Sequence, residues 1–553
     1  MTDEKTQVTP KHWSAPSIWS WGTAVIAALV LMPIVSVLWI AAHPSENIWP
    51  HLLATTLPRY LGNTLVVMLS VACLSAVIGS VSAWLVVMYR FPGVRWLEWL
   101  LLMPLAVPGY LGAYALVDFL EFSGPVQTAM RSLFGWESAR DYLFPDIRSR
   151  GGAIFVLTAS LYPYVYLLAR AGFREQSGSA HEVARALGAG GLRQFLRVGV
   201  PLARPTIVAG VAIVMMETVN DFGTVDFFGV QTLTTGIFSV WLDGGNAGGA
   251  AQIASLILTI ILVLVAFERI GRRKARFYRA IRVDRVPVRQ TLNGAGAWAA
   301  TVLCLVPVLA GFALPILVLG YHTLSRPERW FAPGLVDALI NTVFVGGAAA
   351  LLTVVAAVFL VYGARLSGRR LPSQLLPVTT IGYAAPGAVL ALGLLIPLAA
   401  FDNQVADAVL GMTGWDPGLF LTGGTIVLIY AYGVRFFAVA QGTVDAAMGR
   451  VAPGLPLAAR TLGQTARGTL WRVYLPLMRG SLATALLLVF VDCVKELPAT
   501  LLLRPFNFNT LATRAYEQAS LEKIADAAPP AFMVILVSLV AVALVARSML
   551  RRV

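Results

Sequence analysis

The sequence predicts an all-α integral membrane protein with about twelve transmembrane helices in two homologous six-helix halves. Composition is the first reason. Of 553 residues, 58% are hydrophobic and only 13% are charged, with a mean hydropathy of +0.74, too little charge for a soluble chain of this length. The second is a series of apolar runs long enough to cross a bilayer at about 20 residues each. The third is an internal duplication. The segment HEVARALGAGGLRQFLRVGVPL (181–202) is echoed by LAARTLGQTARGTLWRVYLPL (457–477), with Leu187-Gly188 on Leu462-Gly463 and Pro201-Leu202 on Pro476-Leu477 at one constant offset.

The runs fall at about 18–42, 61–88, 97–118, 152–172, 205–222 and 249–268 in the first half, and at about 297–320, 339–363, 376–400, 422–441, 480–502 and 530–547 in the second. The run at 18–42 is too long for a signal peptide and lacks a small-residue cleavage site, so it reads as a retained helix. With a cytoplasmic N-terminus, cytoplasmic connections and tails hold about 30 Lys and Arg against about 10 on the other side, as the positive-inside rule requires. Both termini are therefore expected in the cytoplasm.

The chain accordingly divides into a tail (1–17), a first half (18–270), a basic cytoplasmic linker (271–296), a second half (297–547) and a tail (548–553). The linker carries GRRKARFYRAIRVDRVPVR (271–289), a solvated topology signal that also suits anionic lipid. The distribution of basic residues over the cytoplasmic connections and tails, as topology requires, argues against nucleic acid as the partner of the net charge of +14.

The duplication reaches beyond the loops. Asn63-Thr64 matches Asn341-Thr342, and Val107-Pro108-Gly109 matches Ala385-Pro386-Gly387 at the same spacing. Each half thus repeats a Pro-Gly-broken helix, a polar loop and a core helix, as transporters built from related halves do. Each loop reads as a short helix, a glycine turn, a second short helix and a proline entering the membrane. In the first copy Ala184, Leu187, Leu192 and Phe195 are expected to form one apolar face, leaving Glu182, Arg185, Arg193 and Arg197 to solvent or a partner. That pattern suits a groove on another protein or the membrane surface equally.

Ionisable residues in the repeated core helices are the candidates for a substrate path or gate. Glu217 and Asp221 are four apart, as are Asp492 and Glu496, so each pair is expected on one helical face. Under the repeat Glu217 falls on Asp492 and Asp221 on Glu496. At about 1.5 Å per residue from Arg204 the first pair lies roughly 20–26 Å along the helix, so four carboxylates can converge near the outer mouth. Charges there should face a cavity or a partner, with Lys495 or Arg504 as candidate counter-ions and Pro498 as a bending point. Arg435 also needs a carboxylate or carbonyls. The phenols of Tyr162, Tyr164 and Tyr166 read mainly as packing.

Chemistry is otherwise sparse. None of the five lysines follows a glycine, so no phosphate loop exists. His181-Glu182 opens like a zinc-protease motif, but position 185 is Arg. The three cysteines, Cys73, Cys304 and Cys493, lie far apart in apolar runs and read as packing. No stably bound metal, catalytic residue or cofactor is expected in the chain.

The paired loops resemble the EAA motifs of binding-protein-dependent ABC importer permeases, and the resemblance covers nearly the whole chain as two fused halves with a MetI-like core, each preceded by an extra helix. It places the acidic EAA position on Glu182, the alanines on Ala184 and Ala459, and the glycines on Gly188 and Gly463. The second copy has Leu457 at the acidic position, so the two loops are expected to dock unequally. The segments ETVNDFGTVDFFGVQTLTTGIFSVW (217–241) and VDCVKELPATLLLRPFNFNTLATRAYEQAS (491–520) look like ferric-iron permeases of the FbpB/SfuB type.

The resemblance implies a bacterial inner-membrane subunit that is not an enzyme. Two copies of an ABC ATPase bind ATP and Mg and dock on the loops, and a periplasmic ferric-iron-binding protein delivers to the outer face. The carboxylates would then touch a hard cation transiently. Thiamine, polyamine or phosphonate import stands beside this reading, as does an ion-coupled secondary transporter with the same span count or a membrane scaffold.

Overall fold

The computed structural model describes residues 18–44, 46–275, 289–367, 370–380, 382 and 385–550. Eleven helices among them are long and apolar enough to cross a membrane, or twelve when one bent pair is counted as a span. In the first half these are α1 (Ile18–Ala42), α2 (Leu57–Met88), the bent α3 (Val94–Ala106 and Gly109–Phe134), α4 (Arg150–Arg174), α5 (Gly191–Asn220) and α6 (Ala247–Ala275). In the second they are α7 (Gly294–Ser325), α8 (Leu335–Ser367), α9 (Gly387–Thr413), α10 (Ile426–Gly449), α11 (Ala466–Val494) and α12 (Ile524–Leu550). The predicted run at 97–118 is the bent member, turning through 96° at Val107-Pro108. Pro108 stands just before Gly109, where its ring ends one helix and opens the next. Most of the basic linker, 276–288, lies outside the described residues, as do both predicted tails except 548–550.

Prolines shape the core helices in a second way. Pro201, Pro476 and Pro315 lack the N–H that a regular turn would use. Just before each one the helix widens into a π turn, at Phe195–Gly199, Leu470–Tyr474 and Leu309–Ala313. Helices α2, α4 and α5 pack together, as do α8, α10 and α11. Close crossings depend on glycine, because a Cβ on Gly79 would meet Val165 Cβ at 2.7 Å and one on Gly210 would meet Val165 Cα at 2.8 Å. Packing of this kind suits an environment where apolar burial alone does not join helices. Outward faces remain apolar, with Trp21, Trp39, Phe344 and Leu352 exposed.

The first helix of each half crosses to the other. Helix α1 packs on α8 and α9, and α7 packs on the second limb of α3 and on α12. The linker also returns across the repeat: Gln290 and Thr291 pair in parallel with Tyr89 and Arg90, the two-residue strands β1 (Tyr89–Arg90) and β2 (Gln290–Thr291). Arg289 then reaches buried Glu98 at 2.6 Å, which also holds Arg170 at 2.8 Å.

The repeated Asn-Thr pairs have a shared structural task. Asn63 Nδ2 donates to the Gln231 carbonyl at 2.8 Å and Thr64 Oγ1 accepts from Leu233 N–H at 2.9 Å. In the other half Asn341 Nδ2 donates to the Asn509 carbonyl at 3.0 Å and Thr342 Oγ1 accepts from Leu511 N–H at 2.8 Å. The segments so anchored open with capping boxes, Thr232 with Thr235 and Thr510 with Thr513. The chain after each core helix is thereby fixed to the start of α2 or α8.

Candidate functional site

All four predicted carboxylates, Glu217, Asp221, Asp492 and Glu496, line one cavity of about 160 Å³ between the halves. The expectation that each pair shares a helical face is corrected. Helix α5 ends at Asn220 and α11 at Val494, so Asp221 and Glu496 lie beyond the last turn. The physical reason is local. Asp221 Oδ1 accepts from the N–H groups of Thr224 and Val225 at 3.0 and 3.1 Å, and its Oδ2 from the Thr224 hydroxyl at 2.9 Å. That carboxylate caps the short helix Gly223–Phe227 instead of continuing α5. Glu496 does the same with Ala499 N–H at 3.1 Å, ahead of the helix Pro498–Leu503, which Pro498 opens.

The Pro-Gly breaks meet these carboxylate breaks. A Cβ on Gly109 would lie 2.7 Å from Thr224 Oγ1 and 3.6 Å from Asp221 Oδ2. One on Gly387 would overlap the Arg435 guanidinium and crowd Ala499 N at 3.0 Å. Two motifs far apart in sequence therefore form one joint in each half, built on close backbone approach.

Charge is distributed unevenly across the repeat. Arg435 Nε holds Glu496 Oε2 at 3.0 Å and Lys495 Nζ holds Asp492 Oδ1 at 2.8 Å. Arg504, the other candidate counter-ion, is instead bound to Glu517 at 2.5 Å and to Asn509, because the chain turns after Leu503 and carries it to the capped segment. At the loops' offset Arg435 corresponds to Ser160 and Lys495 to Asn220, both neutral and both lining the cavity. Tyr164 also faces it, whereas Tyr162 and Tyr166 are fully buried among packed side chains.

The paired loops repeat closely. Helix Gly178–Ala186 is followed by Gly188 at φ +77°, and helix Gly454–Thr461 by Gly463 at φ +82°. Gly188 N–H donates to the Arg185 carbonyl and Ala189 N–H to that of Ala184, matched by Gly463 to Arg460 and Gln464 to Ala459. These are Schellman turns, which need the left-handed conformation glycine accepts at least cost. Glu182 is exposed and Ala184 partly buried, while Ala459 is buried.

The four apolar residues of the loop do not lie on one continuous helix: Leu187 and Leu192 are exposed, and Ala184 and Phe195 are partly buried. The left-handed turn redirects the chain between them, so one helical periodicity does not run through. His181 is the buried residue instead. Its ring meets Trp84 edge-on at 5.6 Å, and its Nε2 lies 2.8 Å from Gln176 Oε1, whose amide donates to the Gly199 carbonyl. Polarity concealed this role, since the aromatic partner comes from α2.

Burial and nearby Arg185 lower the His181 pKa below the ordinary 6.5. The docked loop then binds fewer protons than a released one, so docking is complete above about pH 6.5 and weakens as pH falls below it. Trp84 fluorescence should be constant above about pH 6.5 and report loosening as pH falls below it, and His181→Phe should abolish that dependence. A pH response unchanged in the variant would assign the loosening to another group.

A duplicated helical core, exchanged first helices and a polar cavity between the halves define a multi-pass membrane transport protein. The family described as binding-protein-dependent transport system inner membrane component matches residues 75–276 and again 349–552. The chain belongs to that family and carries its domain twice.

Among relatives, it is 24% identical over 482 residues to the Fe(3+)-transport system permease protein FbpB 2 of Haemophilus influenzae, covering 86% of this chain and 87% of the relative. It is 26% identical to the molybdenum transport system permease protein ModB of Escherichia coli and 27% identical to the sulfate transport system permease protein CysT of Salmonella typhimurium. Those matches cover 35% and 36% of this chain, with 85% and 72% of the relatives. The protein is thus a permease of the ABC importer family, embedded in the inner membrane.

Proposed function

We propose that this chain supplies both halves of the translocation path of an ATP-driven importer for ferric iron. A periplasmic binding protein delivers the ion to the cavity end, and two copies of an ABC ATPase clamp the paired loops at the cytoplasmic end, where both termini also lie. The observation that carries the substrate is the full-length likeness to a ferric permease across both halves, against single-half likeness to the oxyanion permeases. The cavity supports it, since four carboxylates against two basic groups favour a cation. The carboxylates serve as path and gate: Arg435 with Glu496 and Lys495 with Asp492 hold the helix breaks together when the path is shut.

Uptake of radiolabelled ferric iron by cells with and without the chain, with its ATPase and binding protein present, tests this. Chain-dependent iron accumulation at least tenfold over labelled molybdate, sulfate and thiamine is expected. Accumulation of molybdate or sulfate instead would make Arg435 and Lys495 anion-attracting groups and remove iron. Transport that survives loss of the ATPase would overturn the ATP-driven reading.

A further inference from the structure

We propose that Lys495 is a tethered stand-in for the travelling cation, occupying an exchange site that the cation enters only when the ammonium swings out. The inference rests on the reading that the cargo is a cation. It begins from the difference between the two basic groups in the cavity. Arg435 is locked, because its guanidinium is planar, Glu496 grips it from one side, and the Gly387 backbone lies against it. Glu496 is itself held by Ala499 N–H.

Lys495 is held more lightly. Its ammonium, three donors on a flexible four-carbon stem, is bonded to Asp492 at 2.8 Å and lies within electrostatic reach of Glu217 and Tyr164. About a quarter of each side chain of this pair is exposed. A strong but solvated contact of this kind can exchange.

The repeat shows what the site is without an ammonium. The position matching Lys495 is Asn220. Asn220 is 7% exposed and lines the cavity, and its Oδ1 has no hydrogen-bond partner; the Tyr110 hydroxyl, in a side chain 5% exposed, lines the same cavity and also lacks one. Buried polar atoms are rarely left so without a ligand to meet. Two neutral oxygens and the carboxylates of Glu217 and Asp492 thus line the cavity that Lys495 shares, a donor set suited to a hard cation. Among the described residues no three His, Cys, Asp or Glu side chains are gathered into a chelate. The ion would therefore be met weakly and released as the ammonium returns, and transport requires such release.

Terbium(III) is the probe: a hard trivalent ion whose luminescence is sensitised by nearby phenols, here Tyr164 and Tyr110. In the purified full-length chain, Lys495→Gln should create a saturable terbium site at least tenfold tighter than in the wild type. Adding Asp492→Asn should remove the gain, and Lys495→Arg, which keeps the charge, should show none. Equal terbium binding by wild type and Lys495→Gln would overturn the proposal, as would a gain that survives Asp492→Asn. A monodisperse elution profile for each variant separates lost binding from lost folding. Iron uptake by the wild type is scored separately. A terbium gain without iron uptake supports the exchange site and removes iron as cargo, whereas iron uptake without a terbium gain overturns the exchange site alone.

Discussion

Replacing Arg435 by methionine is expected to destabilise the protein by about 3–5 kcal/mol, the cost of removing one partner from a buried ion pair. Glu496 is only 4% exposed, so its carboxylate would be left without the guanidinium bonded at 3.0 Å and with a single N–H from Ala499. The double variant Arg435→Met with Glu496→Gln should recover most of the loss, because the amide keeps an acceptor for Ala499 without a buried charge. Thermal unfolding of the purified chain, compared across the four members of the cycle, checks this. If the two single substitutions add without coupling, the pair does not hold the joint. The single variant should also lose transport out of proportion to its folded fraction, since Gly387 at the Pro-Gly break packs directly on this pair.

Gly188→Val and Gly463→Val are expected to lower uptake at least tenfold while leaving ATP hydrolysis by the assembled complex largely intact. Both glycines hold φ near +80°, where a β-branched residue is strongly disfavoured; for ordinary L-residues the cost is about 1–2 kcal/mol. Space is not the obstacle, for nothing lies within 4 Å of a Cβ built at either position. The strain must therefore act by reshaping the turn that presents Leu187 and Leu462, which are 82% and 81% exposed. Gly188→Ala should do less than Gly188→Val, and Gly188→Asn least of all. Wild-type coupling in both valine variants would remove these turns from the transmission of ATP-driven motion. Because Glu182 has Leu457 at its counterpart in the repeat, Glu182→Leu should weaken docking at the first loop only.

Much of this was legible from residue order. Hydropathy located twelve spans, and α1 begins and ends at Ile18 and Ala42 as its apolar run does. The run expected at 376–400, however, is displaced to Gly387–Thr413, and the helices expected from 205 and 480 begin at Gly191 and Ala466. The Pro-Gly break and the π turns before Pro201 and Pro476 set those ends rather than hydropathy. The Pro-Gly motifs marked the breaks because proline's missing N–H and fixed φ act locally. The glycine turns of the loops were legible for the same reason. At the site, the four carboxylates were identifiable as rare charges in apolar helices, and Arg435 as a cation in need of a partner.

Other features depended on contacts between distant segments. Counting four residues from Glu217 to Asp221 assumed that the helix continued, yet Asp221 found better acceptor geometry in capping the next one. His181, legible in sequence only as the start of an incomplete zinc-protease motif, is buried against Trp84, nearly a hundred residues earlier. The crossing of α1 and α7 between halves left no trace in local pattern.

The sequence by itself determined the membrane class, the duplication, the helix breaks and the loop turns, since each follows from hydropathy, backbone sterics or repetition within a short window. Only the tertiary structure decided which cation meets which carboxylate, with Arg435 on Glu496, Lys495 on Asp492 and Arg504 turned away to Glu517. Electrostatic pairing depends on separations of a few ångströms in space, and those are set by how helices remote in sequence pack.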